Sequence, residues 1–334
     1  MQILVIGGTG FIGTHAVRLL VEHGHDVAVL HRGRTASRLP ASVHSIVGDR
    51  NALAELRAEL VRLAPDVVLD VVPYTEAHAR SLVEAMRGIA GRVVALSSGD
   101  VYRNYDGFRG QSTAPPDPTP LMEGAPLRTS RYPYRGYGLP QRWADDYDKL
   151  LVEEVVMRAP DLPGTILRLP AVYGPGDPQH RLRSYLQRMD DGRPAIVLGE
   201  AHAEWRWTRG YVENVAAAIA RAVTDERTAG HIYNVGGAEV LTERAWVEQI
   251  ATAAGWPGDV VAVPETALRD PFDYRYHLAT NTRRLRDELG YTDSVSLPEA
   301  LRRTIAWSRT QPTDGGIRAS YAAEDAVLKA IGLR

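Results

Sequence analysis

Three glycines near the start of the chain, Gly7, Gly10 and Gly13, have a spacing that suits phosphate binding. They follow an apolar segment at 2–6 that is typical of a buried parallel strand, and they precede a segment at 14–24 whose apolar residues share one side of a helix. Glycine permits a tight turn and lets the backbone approach a pyrophosphate, while a helix N-terminus offers free N–H groups and a partial positive charge. The order of strand, glycine turn and helix therefore predicts a phosphate site, and a ligand-free turn is the alternative.

Two basic side chains, His31 and Arg32, follow the second predicted strand at 26–30. At this point of an NAD site, an acidic residue binds the 2′-hydroxyl of the ribose. A cation there favours a 2′-phosphate instead. The sequence therefore predicts NADP(H) as the cofactor, with NAD(H) as the second choice, and the other interpretation of these residues is a solvated basic turn.

Lysine is rare in this chain. Of 39 lysine and arginine residues, only Lys149 and Lys329 are lysines. An ammonium is compact, whereas a guanidinium is planar and larger. We therefore expect Lys149 to occupy a site that a guanidinium does not fit, and we regard Lys329, near the C-terminus, as incidental.

Strand-like and helix-like segments alternate along the chain. The expected strands are 2–6, 26–30, 45–47, 66–72, 92–97, 164–169 and 231–235, and the expected helices include 14–24, 76–89 and 143–157. This rhythm predicts an α/β fold with a Rossmann-type doubly wound parallel sheet, with ligands at the carboxyl ends of the strands. Residues 103–142 interrupt it with prolines and the tyrosines Tyr132, Tyr134 and Tyr137. They form either a lid or pocket wall, or a surface excursion.

Composition excludes several classes of protein. The chain has 334 residues, 44% hydrophobic, with a net charge of −2 and no cysteine. No apolar stretch approaches the roughly 18 residues of a membrane span, and no secretory signal is expected. We predict no nucleic-acid or membrane partner, no metal and no disulfide, with the cytoplasm as the compartment. A homodimer is compatible with the sequence.

Three strings resemble the extended short-chain dehydrogenase/reductase superfamily, which includes the NAD-dependent epimerases and dehydratases. They are GGTGFIG at 7–13, LRLPAVYGPGD at 167–177 and WRWTRGYVENVAAAIARAV at 205–223. The resemblance covers residues 1 to 309. It implies a cofactor domain at 1–174 with a strand at 231–236, and a smaller interleaved substrate domain at 175–230 and 237–310. Residues 311–334 form a C-terminal tail.

The resemblance also implies the cofactor contacts. Asp49 and Arg50 are assigned to the adenine and Lys149 to the nicotinamide ribose. The remaining contacts, beside the three glycines, are Thr9, Phe11, Ile12, His31, Arg32, Val71, Val72, Ser97, Pro170, Ala171 and Val172.

The catalytic group of this superfamily is a tyrosine with a lysine four residues later on one helix, plus a serine or threonine after the fifth strand. Ser98 and Lys149 match, but the position four before Lys149 is Asp145. Tyr147 is two residues away, about 200° round a regular helix and on the wrong face. The usual pair is thus split, as in the atypical members.

Asp100 matches the second of two carboxylates in the related dehydratases, and it is either a base or a carboxylate that caps a nearby N–H. We keep Ser98, Asp100, Tyr147 and Lys149 as catalytic candidates. The sequence also leaves two roles open for Trp205 and Trp207, contact with an aromatic or apolar substrate or core packing.

These observations predict an NADP(H)-dependent oxidoreductase or epimerase/dehydratase acting on a small hydroxylated or keto substrate. Arg206 and Arg209 are candidates to replace the phosphate-binding arginine of the superfamily. The alternative is a non-catalytic NADP(H)-binding sensor or interaction protein of the atypical subgroup. RNA binding, known in some atypical relatives, is disfavoured by the net charge.

Overall fold

A parallel sheet of seven strands forms the centre of the molecule. The computed structural model describes residues 1–34, 39–268, 270–312 and 321–332. From one edge to the other the strands are β10 (Ile232–Asn234), β6 (Gly164–Leu169), β5 (Arg92–Ser98), β4 (Val67–Asp70), β1 (Gln2–Ile6), β2 (Asp26–His31) and β3 (His44–Val47). Neighbouring strands are all parallel. The predicted α/β class with a doubly wound parallel sheet is confirmed.

Helices cover both faces of the sheet. Alternate residues of β1 enter different apolar clusters, Ile3 and Val5 on one face and Leu4 and Ile6 on the other. The first cluster includes side chains of α1 (Phe11–Glu22) and α8 (Val212–Thr224), and the second includes those of α2 (Arg57–Leu63), α3 (Glu76–Met86) and α5 (Lys149–Met157). Burial on both faces explains why the strands read as continuous apolar runs.

A second group of elements follows the end of β6. It begins with β7 (Ala171–Tyr173), which pairs with β9 (Arg209–Tyr211), while β8 (Ala195–Gly199) pairs with β11 (Asp259–Val263). The helices of this group are α6 (Arg183–Asp190), α7 (Glu200–Glu204), α9 (Glu243–Ala254), α10 (Arg283–Leu289), α11 (Leu297–Arg309) and α12 (Ala322–Ala330). Among the described residues, no helix is long and apolar enough to cross a bilayer.

The C-terminal tail is described in part. Residues 313–320 and 333–334 of the predicted tail 311–334 lie outside the described residues. Helix α12 is held by an ion pair between Arg188 and Glu324 and by the Tyr321 hydroxyl, which donates to Asp191 at 2.6 Å.

The interrupting segment 103–142 contains a short helix that was not predicted, α4 (Arg103–Phe108). The helix predicted at 143–157 begins at Lys149, where the Asp148 side chain accepts the Leu150 N–H at 3.0 Å. Aspartate is a favoured N-cap residue, so the helix starts there. Tyr147 before it is extended, with φ −63° and ψ 122°.

Candidate active site

The glycine turn between β1 and α1 leaves room for a phosphate. Gly7 has a φ of +86°, and a Cβ on Gly13 would lie 2.5 Å from the Gly7 carbonyl oxygen, so helix and turn are in close contact. On the other side the turn is open, since the nearest atom to a Cβ on Gly10 would be 3.8 Å away. No side chain of the described residues caps the start of α1, so its first N–H groups remain available to an anion. The turn therefore fits a pyrophosphate.

The carboxyl ends of neighbouring strands surround this turn. Thr9, Phe11 and Ile12 belong to the turn and the first residues of α1. Val71 and Val72 follow β4, and the Val72 side chain is what a Cβ on Gly7 would meet, at 2.8 Å. Pro170, Ala171 and Val172 follow β6, where Val172 is buried. In the sheet order, β6, β5, β4 and β1 are neighbours, so their carboxyl ends lie side by side. The candidate cofactor residues after these strands therefore lie at the same end of the sheet.

The guanidinium of Arg50, which is predicted to contact the adenine, makes three hydrogen bonds within the protein. It donates to the Asp70 carboxylate at 2.8 Å, to the Val72 carbonyl at 2.7 Å and to the His78 carbonyl at 3.0 Å. Arg50 thus holds the loop after β4, and these bonds to another strand were not visible in the sequence. Asp49 is exposed and accepts the Asn51 N–H at 2.9 Å.

The two basic residues that end and follow β2, His31 and Arg32, differ in whether their side chains are already hydrogen-bonded. The His31 ring is bonded on both nitrogens, to the Ser45 hydroxyl at 2.7 Å and to the Gly33 N–H at 3.0 Å. Arg32 is exposed. Of this pair, Arg32 is therefore the side chain available to a ribose phosphate.

The two serines at the end of β5 face different surroundings. The Ser97 hydroxyl donates to Glu153 at 2.5 Å, and Glu153 pairs with Arg168 at 2.7 Å. The Ser97 side chain therefore lies in a buried polar network, and its contact with the cofactor stays a prediction. Ser98 accepts the N–H of Asp100 at 3.2 Å. The cap in this turn is Ser98, so the interpretation of Asp100 as a capping carboxylate is wrong.

A hydrogen bond joins Asp100 and Tyr147. The Tyr147 hydroxyl donates to Asp100 Oδ2 at 2.7 Å, and the two residues are only 5% and 7% exposed. Asp100 Oδ1 is buried and has no hydrogen-bond partner among the described residues. Burial raises the pKa of Asp100, although Arg128, the Tyr147 hydroxyl and Lys149 oppose the shift. Burial, and then the charge of Asp100, raise the pKa of Tyr147 well above its ordinary value. Tyr147 is therefore a neutral phenol whose hydroxyl donates a hydrogen bond to the Asp100 carboxylate.

Lys149 lies beside this pair. Its Nζ donates to the carbonyls of Pro73 and Leu96, both at 2.8 Å, and lies 5.8 Å from the centre of the Tyr147 ring. Burial lowers the pKa of Lys149 to about 8, with Asp100 acting in the opposite direction. The expectation that Tyr147 faces away from Lys149 is wrong, because the helix begins between them and the regular helical angle does not apply.

Arg128 was not identified from the sequence. Its Nε donates to the Asp100 carbonyl at 3.1 Å, and its guanidinium pairs with Asp148 at 2.7 Å, with both side chains fully buried. The other Asp148 oxygen accepts the Tyr132 N–H at 3.0 Å. Arg128 therefore ties the turn after β5 to the cap of α5. An isolated arginine in a proline-rich segment carries no local signal for such a role.

A cavity of about 630 Å³ lies beyond the tyrosines that pack on Tyr147, and neither Asp100 nor Tyr147 is among its lining residues. Ala171 and residues of the interrupting segment, among them Tyr105, contribute to its wall. The Tyr105 and Tyr134 hydroxyls are 2.8 Å apart, and the centre of the Tyr134 ring is 5.0 Å from that of Tyr147. A continuous set of tyrosines thus connects the cavity with the Asp100–Tyr147 pair.

Of the two tryptophans and two arginines that the sequence analysis named, all but Arg206 line this cavity. Trp205, Trp207 and Arg209 line it. Trp205 is also only 4% exposed, and its indole N–H donates to the Tyr276 carbonyl at 2.9 Å, so it serves the core as well. Arg206 is not among the lining residues and donates to the Val240 carbonyl at 2.9 Å.

Comparison with known proteins adds family relations. Residues 3–236 match the model of the NAD dependent epimerase/dehydratase family. The 2'-dehydrokanamycin reductase of Streptomyces kanamyceticus is 28% identical over 291 residues, covering 85% of this chain and 75% of that protein. The dTDP-glucose 4,6-dehydratase of Streptomyces niveus is 26% identical over 340 residues, covering 92% and 93%. The Thermus thermophilus UDP-glucose 4-epimerase, solved with NAD, has a TM-score of 0.65 and 24% identity over 93% of this chain and 100% of that chain. This last likeness is one of fold.

Proposed function

Because this chain belongs to the NAD-dependent epimerase/dehydratase family, we propose that it is an NADP(H)-dependent oxidoreductase or epimerase/dehydratase. Its substrate is a small molecule with a hydroxyl or keto group. The observation that carries the proposal is the hydrogen bond from the Tyr147 hydroxyl to buried Asp100, which follows β5. The Lys149 ammonium lies close to the Tyr147 ring. In this proposal residues 1–174 and 231–236 bind the cofactor, and 175–230 and 237–310 hold the substrate.

The glycine turn, Val71, Val72 and the segment after β6 would hold the dinucleotide. A bound nicotinamide supplies or accepts the hydride. Lys149 donates to two carbonyls, and an ammonium has three N–H donors, so one donor remains for the cofactor ribose. The Ser98 hydroxyl accepts the Asp100 N–H, and within the described part of the chain its own O–H has no acceptor, so it can orient a substrate oxygen.

The Asp100–Tyr147 pair moves the proton. In the direction that forms a carbonyl, the substrate hydroxyl gives its proton to Tyr147 Oη while Tyr147 passes its own proton to Asp100 Oδ2. In the reverse direction Asp100 returns that proton and Tyr147 protonates the substrate oxygen. The raised pKa of Asp100 favours its role as proton acceptor, and the raised pKa of Tyr147 disfavours a free phenolate.

A search for hydride transfer tests the proposal. The protein is incubated with NADPH carrying deuterium at C4 and with sets of ketones and aldehydes, and the products are analysed for deuterium by mass spectrometry. Deuterium on a product carbon supports the proposal. The proposal is contradicted if NADPH binds tightly but transfers no deuterium to any compound, and if no hydroxylated compound reduces NADP+. That result favours the non-catalytic alternative.

NADPH is expected to bind more tightly than NADH. The exposed Arg32 can pair with the 2′-phosphate, and a hydrogen bond to a charged group contributes about 1.5–3 kcal/mol. Replacing Arg32 by alanine should therefore lower the affinity for NADPH by about tenfold or more and leave the affinity for NADH unchanged. Calorimetric titration with both cofactors measures this, and NADH is the internal control. Equal affinities in the unsubstituted protein would rule out the NADP(H) assignment.

Cofactor affinity is expected to fall as the pH rises through the pKa of Lys149, about 8. The ammonium is the form that donates to the ribose. For stability the sign is opposite, because the lowered pKa means that the unfolded chain binds the additional proton in the window between about 8 and the ordinary value of 10.5. The Lys149 contribution to the free energy of unfolding therefore rises with pH in that window, and loss of binding there is not unfolding.

Fluorescence titration of NADPH at several pH values checks this, with thermal unfolding recorded at each pH. In a Lys149→Met variant the affinity should be lower and independent of pH. An affinity that stays constant from about pH 7 to pH 9 in the unsubstituted protein would remove Lys149 from the cofactor site.

A further inference from the structure

We propose that the cavity lined by Tyr105, Arg109 and Trp207, which Tyr134 connects to the Asp100–Tyr147 pair, binds a ring-bearing substrate with a single negative charge, such as an aryl carboxylate. Arg109 is the residue that recognises the charge. This rests on the proposed function only in taking the cavity as the substrate site.

Flat aromatic faces form much of the cavity wall. Phe108 is stacked between Trp205 and Phe272, with ring centres 4.9 Å and 4.5 Å away and interplanar angles of 13° and 4°. His202 and Tyr274 form a second stack at 4.1 Å and 10°. Because these rings stack on one another, they offer their edges and outer faces to a ligand, and they present few hydrogen-bonding groups to a substrate rich in hydroxyls. The wall therefore favours an apolar, ring-bearing ligand.

The cavity carries one uncompensated positive charge. Three arginines line it. Arg181 pairs with Asp177 at 2.9 Å, and Arg209 pairs with Glu243. Arg109 has no carboxylate partner among the described residues, and its guanidinium lies 4.8 Å from the centre of the Tyr137 ring.

The other titratable group in the wall does not change this balance. Burial lowers the pKa of His202 below its ordinary value, with the charge of Glu243 acting in the opposite direction. His202 is therefore neutral at about pH 7. Arg109 keeps its charge, because nearby tyrosines raise its pKa in spite of burial.

One negative charge on the ligand balances Arg109, and a second would be buried without a partner. Arg181 and Arg209 are not free to serve, since Asp177 and Glu243 are only 2% and 3% exposed and would be left as unpaired buried charges. A guanidinium also presents two parallel N–H donors that match a carboxylate. The cavity thus favours a monoanion over a diphosphate.

Calorimetry with matched ligands tests the proposal on the full chain loaded with NADP+. The probes are 2-naphthoate, its neutral amide 2-naphthamide, and UDP-glucose. The acid is expected to bind about tenfold or more tightly than the amide, since a hydrogen bond to a charged group is lost in the amide. Arg109→Gln should remove this difference and leave the amide affinity unchanged.

Arg135→Gln is the matched control. Arg135 also lies over a tyrosine ring, 3.8 Å from the centre of Tyr132, in the same segment, but it does not line the cavity. Its substitution should leave both affinities unchanged.

Three outcomes overturn the proposal: no binding of the acid, equal binding of acid and amide, or tighter binding of UDP-glucose that depends on Arg109. The proposed function fails separately. Arg109-dependent binding of naphthoate without any deuterium transfer would retain this inference and remove the enzyme assignment. Deuterium transfer without Arg109-dependent binding would do the reverse.

Discussion

Replacing Tyr147 by phenylalanine is expected to lower the turnover rate by about 10²–10⁴-fold, the usual contribution of a positioned proton donor. In the proposed mechanism the hydroxyl of Tyr147, which donates to Asp100, exchanges a proton with the substrate, and phenylalanine keeps the ring that packs against Tyr134. The dissociation constant of NADPH should therefore stay unchanged. Steady-state kinetics on a substrate found by the deuterium experiment, together with a cofactor titration, measures both quantities.

Tyr134→Phe is the control for this variant. The Tyr134 hydroxyl bonds to the Tyr105 hydroxyl, and its ring lies next to that of Tyr147, but among the described residues the phenol that donates to Asp100 is Tyr147. We expect it to keep most of the activity. A loss confined to Tyr134→Phe would assign the proton transfer to Tyr134 and contradict the role of Tyr147.

The variant Asp100→Asn tests whether Asp100 accepts the proton of Tyr147 or only positions the Tyr147 hydroxyl. The amide keeps the shape of the side chain but does not take up the proton, so the rate should fall about as far as in Tyr147→Phe. Because the two residues act as a unit, the double variant should be no slower than either single one. Additive losses would show that they work independently.

The sequence predicted the part of the site that depends on local signals. The strand at 2–6, the glycine turn and the helix after it are specified by residues within about two helical turns, and the structure has them in that order. The parallel sheet follows from repetition of the same strand and helix pattern. These features need no information from distant residues.

The surroundings of Tyr147 and Asp100 were mispredicted for two reasons. A local signal was present but unused, since Asp148 is a typical N-cap before the apolar run of α5, and it moves Tyr147 out of the helix. The other reason is tertiary. The position of Asp100 depends on Arg128, which is 28 residues away, and no spacing rule reveals that contact.

Arg128→Met is expected to reduce the free energy of unfolding by about 3–5 kcal/mol, the usual cost of removing one partner from a buried ion pair. Asp148 would be left as an unpaired buried carboxylate, and the Asp100 carbonyl would lose its donor. Urea denaturation measures the loss. Because Asp148 caps α5, cofactor affinity through Lys149 should weaken in the same variant.

Arg131→Met provides the comparison, because Arg131 belongs to the same segment and pairs with Glu154 of α5 at 3.0 Å. Both of those side chains are 41% exposed, so water replaces the lost contact and we expect a change of about 0–1 kcal/mol. Adding Asp148→Asn to Arg128→Met should restore part of the stability, since the unpaired charge is removed. If Arg128→Met costs no more than Arg131→Met, the buried pair does not hold the turn after β5. The preorganisation of Asp100 and Tyr147 would then have to come from the packing of the tyrosine rings alone.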